Sequence, residues 1–321
     1  GEQVRALTRA SRAFFEQPPA GFTEHPILTP RGALFVATDR QREQLEAHWA
    51  LLQPLSPHAQ RLDHYAVCRM VPVLRPDGLV GGAYEADAMD MDVHAFHQGY
   101  LRSARAAGAT LVCDAEVTAI ERARGTWRVQ AGGRSYDAPV LVNATGAWAD
   151  AIARLTGVAT IGLEPRRRSA FVFAPPEGLD TSRWPLVIGA DEDWYLKPDA
   201  GLLLGSPANA DPVEPHDVQP DELDIATGIH RIEQMTTLTI RRPKRTWAGL
   251  RSFVADGGLV GGFDPSAPDG FFWLAAQGGY GIQTSAAMGA ACAALVRGLP
   301  IPQRLADFGL TAEMLSPARL R

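Results

Sequence analysis

The chain has 321 residues, 46% hydrophobic and 21% charged, enough to bury one large core or two smaller ones without disulfide or metal staples. Its 31 basic and 36 acidic residues leave a net charge of −5, with no basic surplus for a nucleic-acid backbone. No low-complexity tract suggests disorder, and no apolar run approaches the roughly 18–20 residues of a membrane span. The cysteines, Cys68, Cys113 and Cys292, are odd in number and far apart. They imply neither a disulfide framework nor a zinc site, and free thiols in a reducing cytosol give the expected cytoplasmic location.

In chain order, residues 3–16 read as an amphipathic helix through Val4, Leu7, Ala10 and Phe14, closed by Pro18, Pro19 and Gly21. Short strands are expected around Ile27-Leu28 and over residues 33–36, then a helix over about 39–53 and a Pro76-Asp77-Gly78 turn. Asp92 caps a helix over 92–107 that Gly108 ends. Four strands follow, at 110–113, 116–120, 126–130 and 139–143. The last runs into Ala144-Thr145-Gly146 and a helix, the crossing that places ligands at strand carboxyl ends. Residues 160–245 return to alternating strands, including a hairpin about Pro198-Asp199-Ala200-Gly201, then a helix over roughly 220–235. From Thr246 come a strand at 271–276, the turn Gly278-Gly279-Tyr280-Gly281 and a long helix over about 283–297. The layout alternates between an α/β unit and a sheet-rich unit, so the two are interleaved.

The turn at 278–281 is the sharpest local signal. Its glycines admit close backbone approach, and the following helix offers free N–H groups and a positive dipole end. A phosphate would suit it, as would a flavin ring that becomes anionic on reduction, or it only turns the chain. Arg251 has the planar guanidinium that grips a carboxylate, and alternation lets only some of Arg166, Arg167 and Arg168 face a pocket. Tyr195 offers a hydroxyl. The one H-x-x-H pair, His94 and His97, has no third ligand, and no G-x-S-x-G or P-loop motif occurs.

Ala144-Thr145-Gly146-Ala147-Trp148-Ala149-Asp150, Trp247-Ala248-Gly249-Leu250-Arg251 and Gln277-Gly278-Gly279-Tyr280-Gly281-Ile282-Gln283-Thr284 together resemble the FAD-dependent D-amino acid oxidase and glycine oxidase superfamily. The nearer likeness is to the bacterial D-arginine dehydrogenases. It extends through Arg167-Arg168-Ser169-Ala170-Phe171, Tyr195-Leu196-Lys197-Pro198 and Gly205-Ser206-Pro207-Ala208-Asn209, and covers essentially the whole chain. It implies a mixed α/β fold in which a Rossmann-like FAD-binding domain (residues 1–20, 88–155 and 246–321) is interleaved with a sheet-rich substrate domain (21–87 and 156–245). It implies FAD against Val117, Ala144, Thr145, Gly146, Gly278, Gly279, Tyr280, Gly281, Ile282 and Gln283. Arg168 and Arg251 would grip the substrate carboxylate, with Tyr195, Gly249 and Gln283 close by. The implied activity is oxidative deamination of a D-amino acid by hydride transfer to the flavin, of dehydrogenase type, with a quinone or other electron acceptor as partner. An oxidase using O2, or a non-catalytic binding subunit, are the alternatives.

Two departures qualify the resemblance. The family opens with a strand, a G-x-G-x-x-G turn and a helix that hold the FAD pyrophosphate, whereas this chain starts at Gly1 in a helical pattern and contains no G-x-G-x-x-G. The expectation is a chain beginning in mid-fold, without its N-terminal βαβ opening. The arginine-preferring enzymes place a carboxylate just after the segment matching Pro30-Arg31, where this chain has Gly32-Ala33. Burying an unpaired guanidinium costs several kcal/mol, so the expected preference is for apolar or aromatic D-amino acids, or is broad.

Overall fold

The structure, a computed structural model, describes residues 1–267 and 270–321. Helix α1 (Glu2–Glu16) buries Ala6, Leu7, Ala10, Ser11 and Phe15 at helical spacing. After it come β1 (Leu28–Pro30), β2 (Ala33–Thr38), α2 (Arg42–Leu52), β3 (Gln60–Asp63), α3 (His64–Met70), β4 (Leu79–Glu85), β5 (Met89–Met91) and α4 (Val93–Ala106). The expected cap of α4 is in place, with the Asp92 carboxylate accepting from the Ala95 N–H at 2.8 Å.

The next stretch differs from its expected pattern at two points. Residues 110–113 form no strand, and Leu111 and Val112 are exposed. A strand needs a neighbour for its N–H and C=O groups, and none pairs with them among the described residues. Conversely, β8 (Arg134–Ala138) follows β6 (Val117–Ala123) and β7 (Thr126–Ala131) in a three-stranded antiparallel sheet. Its five residues are all exposed, so it carries no alternation to read; its ladder with β7 holds it. Then come β9 (Leu141–Asn143) and α5 (Ala149–Thr156).

Residues 164–253 supply β10 (Glu164–Phe173), β11 (Leu186–Gly189), β12 (Tyr195–Asp199), β13 (Leu202–Ser206), β14 (Asp211–Pro212), α6 (Glu222–Met235) and β15 (Arg245–Phe253). The expected hairpin joins β12 to β13, with Ala200 and Gly201 both at positive φ, as a type I′ turn requires. These strands join β2, β3 and β4 in a nine-stranded sheet. Its ladders are antiparallel except β2 with β11, where Ala33–Val36 runs parallel to Leu186–Gly189. Side chains alternate across it. Leu34, Val36, Phe171, Phe173, Val187, Leu196 and Leu203 point into the main core with Ile232 of α6. The opposite face carries Ala33, Phe35, Ala83, Glu85, Ile188, Tyr195, Lys197, Leu204 and Arg168.

Strand β15 runs along the whole of β10, from Glu164 opposite Phe253 to Val172 opposite Arg245. The chain then enters β16 (Val260–Phe263) and β17 (Phe271–Ala275), and β17 lies parallel to β9 with Trp273 opposite Asn143. The last long helix, α7 (Gly281–Leu295), buries Ala286, Ala287, Met288, Ala291 and Cys292 against α1 and the β16–β17 hairpin. Small residues along it let α1 approach closely enough for Ser11 Oγ to accept from the Ala287 N–H at 2.9 Å. No helix of the described residues is long and apolar enough to cross a membrane.

Candidate active site

The second face of the large sheet walls a cavity of about 590 Å3, closed on one side by Gly279 and Tyr280. Of the three consecutive arginines on β10, two are already paired. Arg166 Nε lies 2.5 Å from Glu164, and Arg167 Nε lies 3.0 Å from Asp224. Alternation puts Arg166 and Arg168 on one face and Arg167 on the other, and of the first two it is Arg168 that lines the cavity. Across the ladder Arg251 stands opposite Arg166, and Arg168 opposite Gly249, so Arg168 and Arg251 are diagonal neighbours on one face.

Neither Arg168 nor Arg251 has a carboxylate partner among the described residues. Instead both donate to one backbone carbonyl, that of Asn209, from Arg168 Nε at 2.6 Å and Arg251 Nη2 at 3.3 Å. Arg251 Nε is buried without any hydrogen-bond partner. Burial pushes the Arg251 pKa down from its ordinary value, and the neighbouring Arg168 charge pushes the same way. The aromatic rings offset some of this. The Arg168 guanidinium lies 5.9 Å from the Tyr195 ring centroid, and that of Arg251 lies 5.5 Å from Phe253. Two like charges brought together over one neutral carbonyl leave donors free for an anion, and their forks suit a carboxylate.

The opposite wall is different in kind. Ala33, the position at which the sequence lacks a carboxylate, does line the cavity, and its direct cross-strand partner is Glu85 on β4. Burial, then Asp87, raise the Glu85 pKa above the usual carboxylate value, and Arg12 offsets part of this. His48 stacks flat on Phe35, with centroids 3.7 Å apart, and burial lowers its pKa. Lys197 is held by Asp90 at 2.7 Å, and Asp90 also takes Arg31 Nε at 2.6 Å. Sequence reasoning missed Glu85, His48, Lys197 and Asn209. Strand parity could have placed Lys197 beside Tyr195, but the role of Asn209 is that of a backbone carbonyl and has no signature.

The two glycine-bearing turns meet at the carboxyl ends of adjacent parallel strands, β9 and β17, where α/β sheets bind ligands. In the first, the buried Asn143 donates to the Ala149 carbonyl at 2.8 Å and accepts from the Thr145 hydroxyl at 2.8 Å. Gly146, at φ +59°, has open space where a Cβ would point. In the second, Gly278 sits at φ +54°, donates to the Ser252 carbonyl at 2.8 Å, and would bring a Cβ to 3.0 Å from the Phe253 ring. A Cβ on Gly279 would come 3.1 Å from Arg251 Nη1, so this loop and the arginine pair are in contact. Gly281 starts α7, and Tyr280 at its N-cap makes no side-chain cap.

These turns fit the ring end of the flavin that the resemblance implies. Val142, Trp148, Tyr280 and Ile282 leave large apolar surfaces exposed beside them, and the uncapped N–H groups of α7 suit an anionic ring edge. No stretch of the 321 residues matches the pyrophosphate turn. The expected residues do not all converge. Arg168, Tyr195, Arg251, Gly279 and Tyr280 line the cavity. Gly249 shares the β15 face of Arg251 and is exposed. Gln283 turns to α1, donating to Thr8 Oγ1 at 3.0 Å. Val117 begins β6 in the separate three-stranded sheet.

Comparison with known proteins agrees with this architecture. Residues 1–295 match the DAO family, FAD dependent oxidoreductase. Glycine oxidase from Geobacillus kaustophilus shares the fold with a TM-score of 0.80 at 22% identity, over 96% of this chain and 82% of that one. Iminodiacetate oxidase from Chelativorans sp. BNC1 does so with a TM-score of 0.80 at 21% identity, over 97% and 82%. For L-proline dehydrogenase from P. horikoshii the TM-score is 0.79 at 18% identity, over 99% and 85%. FAD-dependent oxidoreductase domain-containing protein 1 of Xenopus laevis is 26% identical over 184 residues, 51% of this chain and 36% of that protein. The chain thus matches only about a third of that curated relative's length. With the family pattern running through nine-tenths of its residues, the chain belongs to the DAO family of FAD-dependent oxidoreductases.

Proposed function

We propose that this protein oxidises the Cα–N bond of a D-amino acid, yielding an imino acid that water then hydrolyses to the 2-oxo acid, and passes the electrons to a quinone-type acceptor. The observation that carries this reading is the Arg168–Arg251 pair: two guanidiniums without a carboxylate partner, both anchored on the Asn209 carbonyl beside the Gly278–Tyr280 turn. Glycine oxidase, iminodiacetate oxidase and L-proline dehydrogenase are named for small amino or imino acids, which supports a substrate of that class. The D configuration and the dehydrogenase type rest on the sequence resemblance.

Bound FAD supplies the two-electron acceptor. The residues of this chain bind and orient. Arg168 and Arg251 take the substrate carboxylate as a bidentate pair, and the Tyr195 and Phe253 rings hold their planes. Because Gly279 abuts Arg251, a carboxylate held by that arginine would lie close to the Gly278–Tyr280 turn, whose backbone would hold the ring end of the flavin. Glu85 and His48 stand on the strands and helix farthest from the arginines, so neither is placed to remove a proton from the amine. A substrate entering with a neutral amine needs no protein base.

The test is anaerobic mixing of the full-length, FAD-loaded protein with paired enantiomers. D-Amino acids are expected to bleach the visible flavin absorbance and L-amino acids to leave it, with faster return of colour on adding a quinone than on admitting O2. Bleaching by L-enantiomers alone overturns the stereochemistry, and reoxidation as fast in air makes the protein an oxidase. A protein that stays colourless with FAD is a binding subunit.

A further inference from the structure

We propose that Asp224 of α6 is a positioning residue for the substrate carboxylate: from the face of β10 opposite the cavity, it holds the Asn209 loop whose carbonyl gathers Arg168 and Arg251. This rests on those two arginines being the clamp for the substrate carboxylate.

The connection begins at a gap in the sheet. Strand β15 pairs with one edge of β10 from residue 164 to residue 172. On the other edge β13 pairs with residues 171–173 and β14 with residues 166–167. The loop 207–210 therefore lies beside residues 168–170 where a strand would otherwise run. Side chains complete the missing ladder, as buried backbone groups require. The Ser169 N–H donates to Asn209 Oδ1 at 2.9 Å, and the Ser169 carbonyl accepts from Ser206 Oγ at 2.7 Å. Ser206 Oγ in turn accepts from the Ala208 N–H at 3.0 Å. Asn209 thus straddles the strand edge, with its carbonyl toward the arginines of the cavity face and its amide toward the other face.

Alternation places Arg167 and Ser169 on that second face. There Asp224 Oδ2 receives the Ser169 hydroxyl at 2.8 Å, Asn209 Nδ2 at 2.9 Å and Arg167 Nε at 3.0 Å. One carboxylate oxygen joins the strand that carries Arg168 to the loop that carries its acceptor. One helical turn further on, Gly228 lets the loop lie directly against α6, since a Cβ there would come 2.9 Å from Pro207. A turn beyond that, Ile232 is fully buried in the main core. Residues 224, 228 and 232 share one helix face, so the loop is braced by an element anchored in the core. Two other carboxylates stand near Arg167, Asp211 at 3.8 Å and Asp221 at 3.6 Å. Asp211 also bonds Asn209, whereas Asp221 caps α6 by accepting from the Leu223 N–H at 2.9 Å. Two neighbouring guanidiniums repel, so a loop free to swing would let them part and lose the shared geometry that a carboxylate needs.

The probes are 3-phenylpropanoate and its neutral isostere 3-phenylpropanamide. Neither has an α-amine, so neither can be oxidised by this route and each reports binding alone. Calorimetric titration into the full-length, FAD-loaded protein is expected to give roughly tenfold tighter binding of the carboxylate. Asp224→Ala should weaken the carboxylate about tenfold and leave the Kd of the amide within about twofold, which also shows that the variant folds. Asp221→Asn removes a charge beside Arg167 but keeps a good helix cap, and should change neither affinity by more than about twofold. Because Asp224 acts through Asn209, adding Asp224→Ala to Asn209→Ala should cost less than about twofold further. In turnover, Asp224→Ala should raise KM about tenfold and change kcat less than about threefold. Several results overturn the assignment: no preference for the carboxylate in the native protein, an unchanged carboxylate Kd in Asp224→Ala, or a loss shared by the amide. So do an equal loss in Asp221→Asn and losses that multiply in the double variant. If the binding pattern holds but no amino acid bleaches the flavin, the positioning role stands and the proposed oxidation fails. If amino acids bleach it while Asp224→Ala leaves both carboxylate Kd and KM unchanged, the oxidation stands and the role of Asp224 fails.

Discussion

At Asn209 the side chain and the backbone act on different neighbours. The carbonyl receives both cavity arginines. The amide is tied down by three bonds: Oδ1 accepts from the Ser169 N–H at 2.9 Å, and Nδ2 donates to Asp211 at 2.7 Å and Asp224 at 2.9 Å. The preceding Ala208 is held at φ +51°. Asn209 is thus a positioning residue, fixing an acceptor that keeps two repelling charges about one point. Asn209→Ala retains the carbonyl but frees it. The expected result is a roughly tenfold rise in KM for the amino acid, about 1.4 kcal/mol, with kcat changed less than threefold. An unchanged KM would show that the loop needs no side-chain tether. Such a role is invisible in sequence. The arginines themselves were legible only through a resemblance, because a chain with two lysines and many arginines gives no single arginine special weight.

Among the elements, those with a strong local pattern were readable. Helices α1, α4 and α7 fall within a few residues of their expected bounds, and the β12–β13 hairpin sits on its Ala200-Gly201 turn. Elements defined by their partners were not. Residues 110–113 have a strand composition but no neighbour, β8 has a neighbour but no pattern, and Glu85 became a cavity residue only through its register with Ala33. The Gly278 turn belongs to this scale too, since it joins β17 to α7 while leaning on β15. Gly278→Ala would place a side chain at positive φ and against Phe253. It is expected to cost about 1 kcal/mol of stability and to weaken FAD binding several-fold, measured by quenching of flavin fluorescence. Unaltered FAD affinity would place the ring elsewhere.

For the molecule as a whole, the carboxyl terminus is bolted to the β16–β17 hairpin through Asp264. That side chain is fully buried and accepts from Ser266, from Trp273 Nε1 at 2.9 Å and from Arg321. Burial alone would raise its pKa, but these hydrogen bonds together hold it below the ordinary carboxylate value. A depressed folded pKa contributes stability that is complete above the unfolded value near 3.8 and fades as pH falls through the lower folded one. Asp264→Asn is expected to cost about 2–4 kcal/mol at pH 7, with the gap to the native protein narrowing below about pH 4. Denaturant titrations at pH 7 and pH 3.5 measure both, and a gap independent of pH would assign the cost to packing.

The single parallel ladder in the large sheet, β2 against β11, has a consequence for synthesis. During translation, β2, β3 and β4 can assemble early, but the β2 edge then waits for residues 186–189, about 150 residues further along the chain. Until they emerge, that edge is open to wrong pairings, and closing so long a loop is slow. The cavity takes one wall from each side of this seam, Ala33 and Glu85 from before it, Arg168 and Arg251 from after. The nascent chain therefore has no substrate site to fill, and anything that binds between the two walls acts as a late staple on the finished sheet.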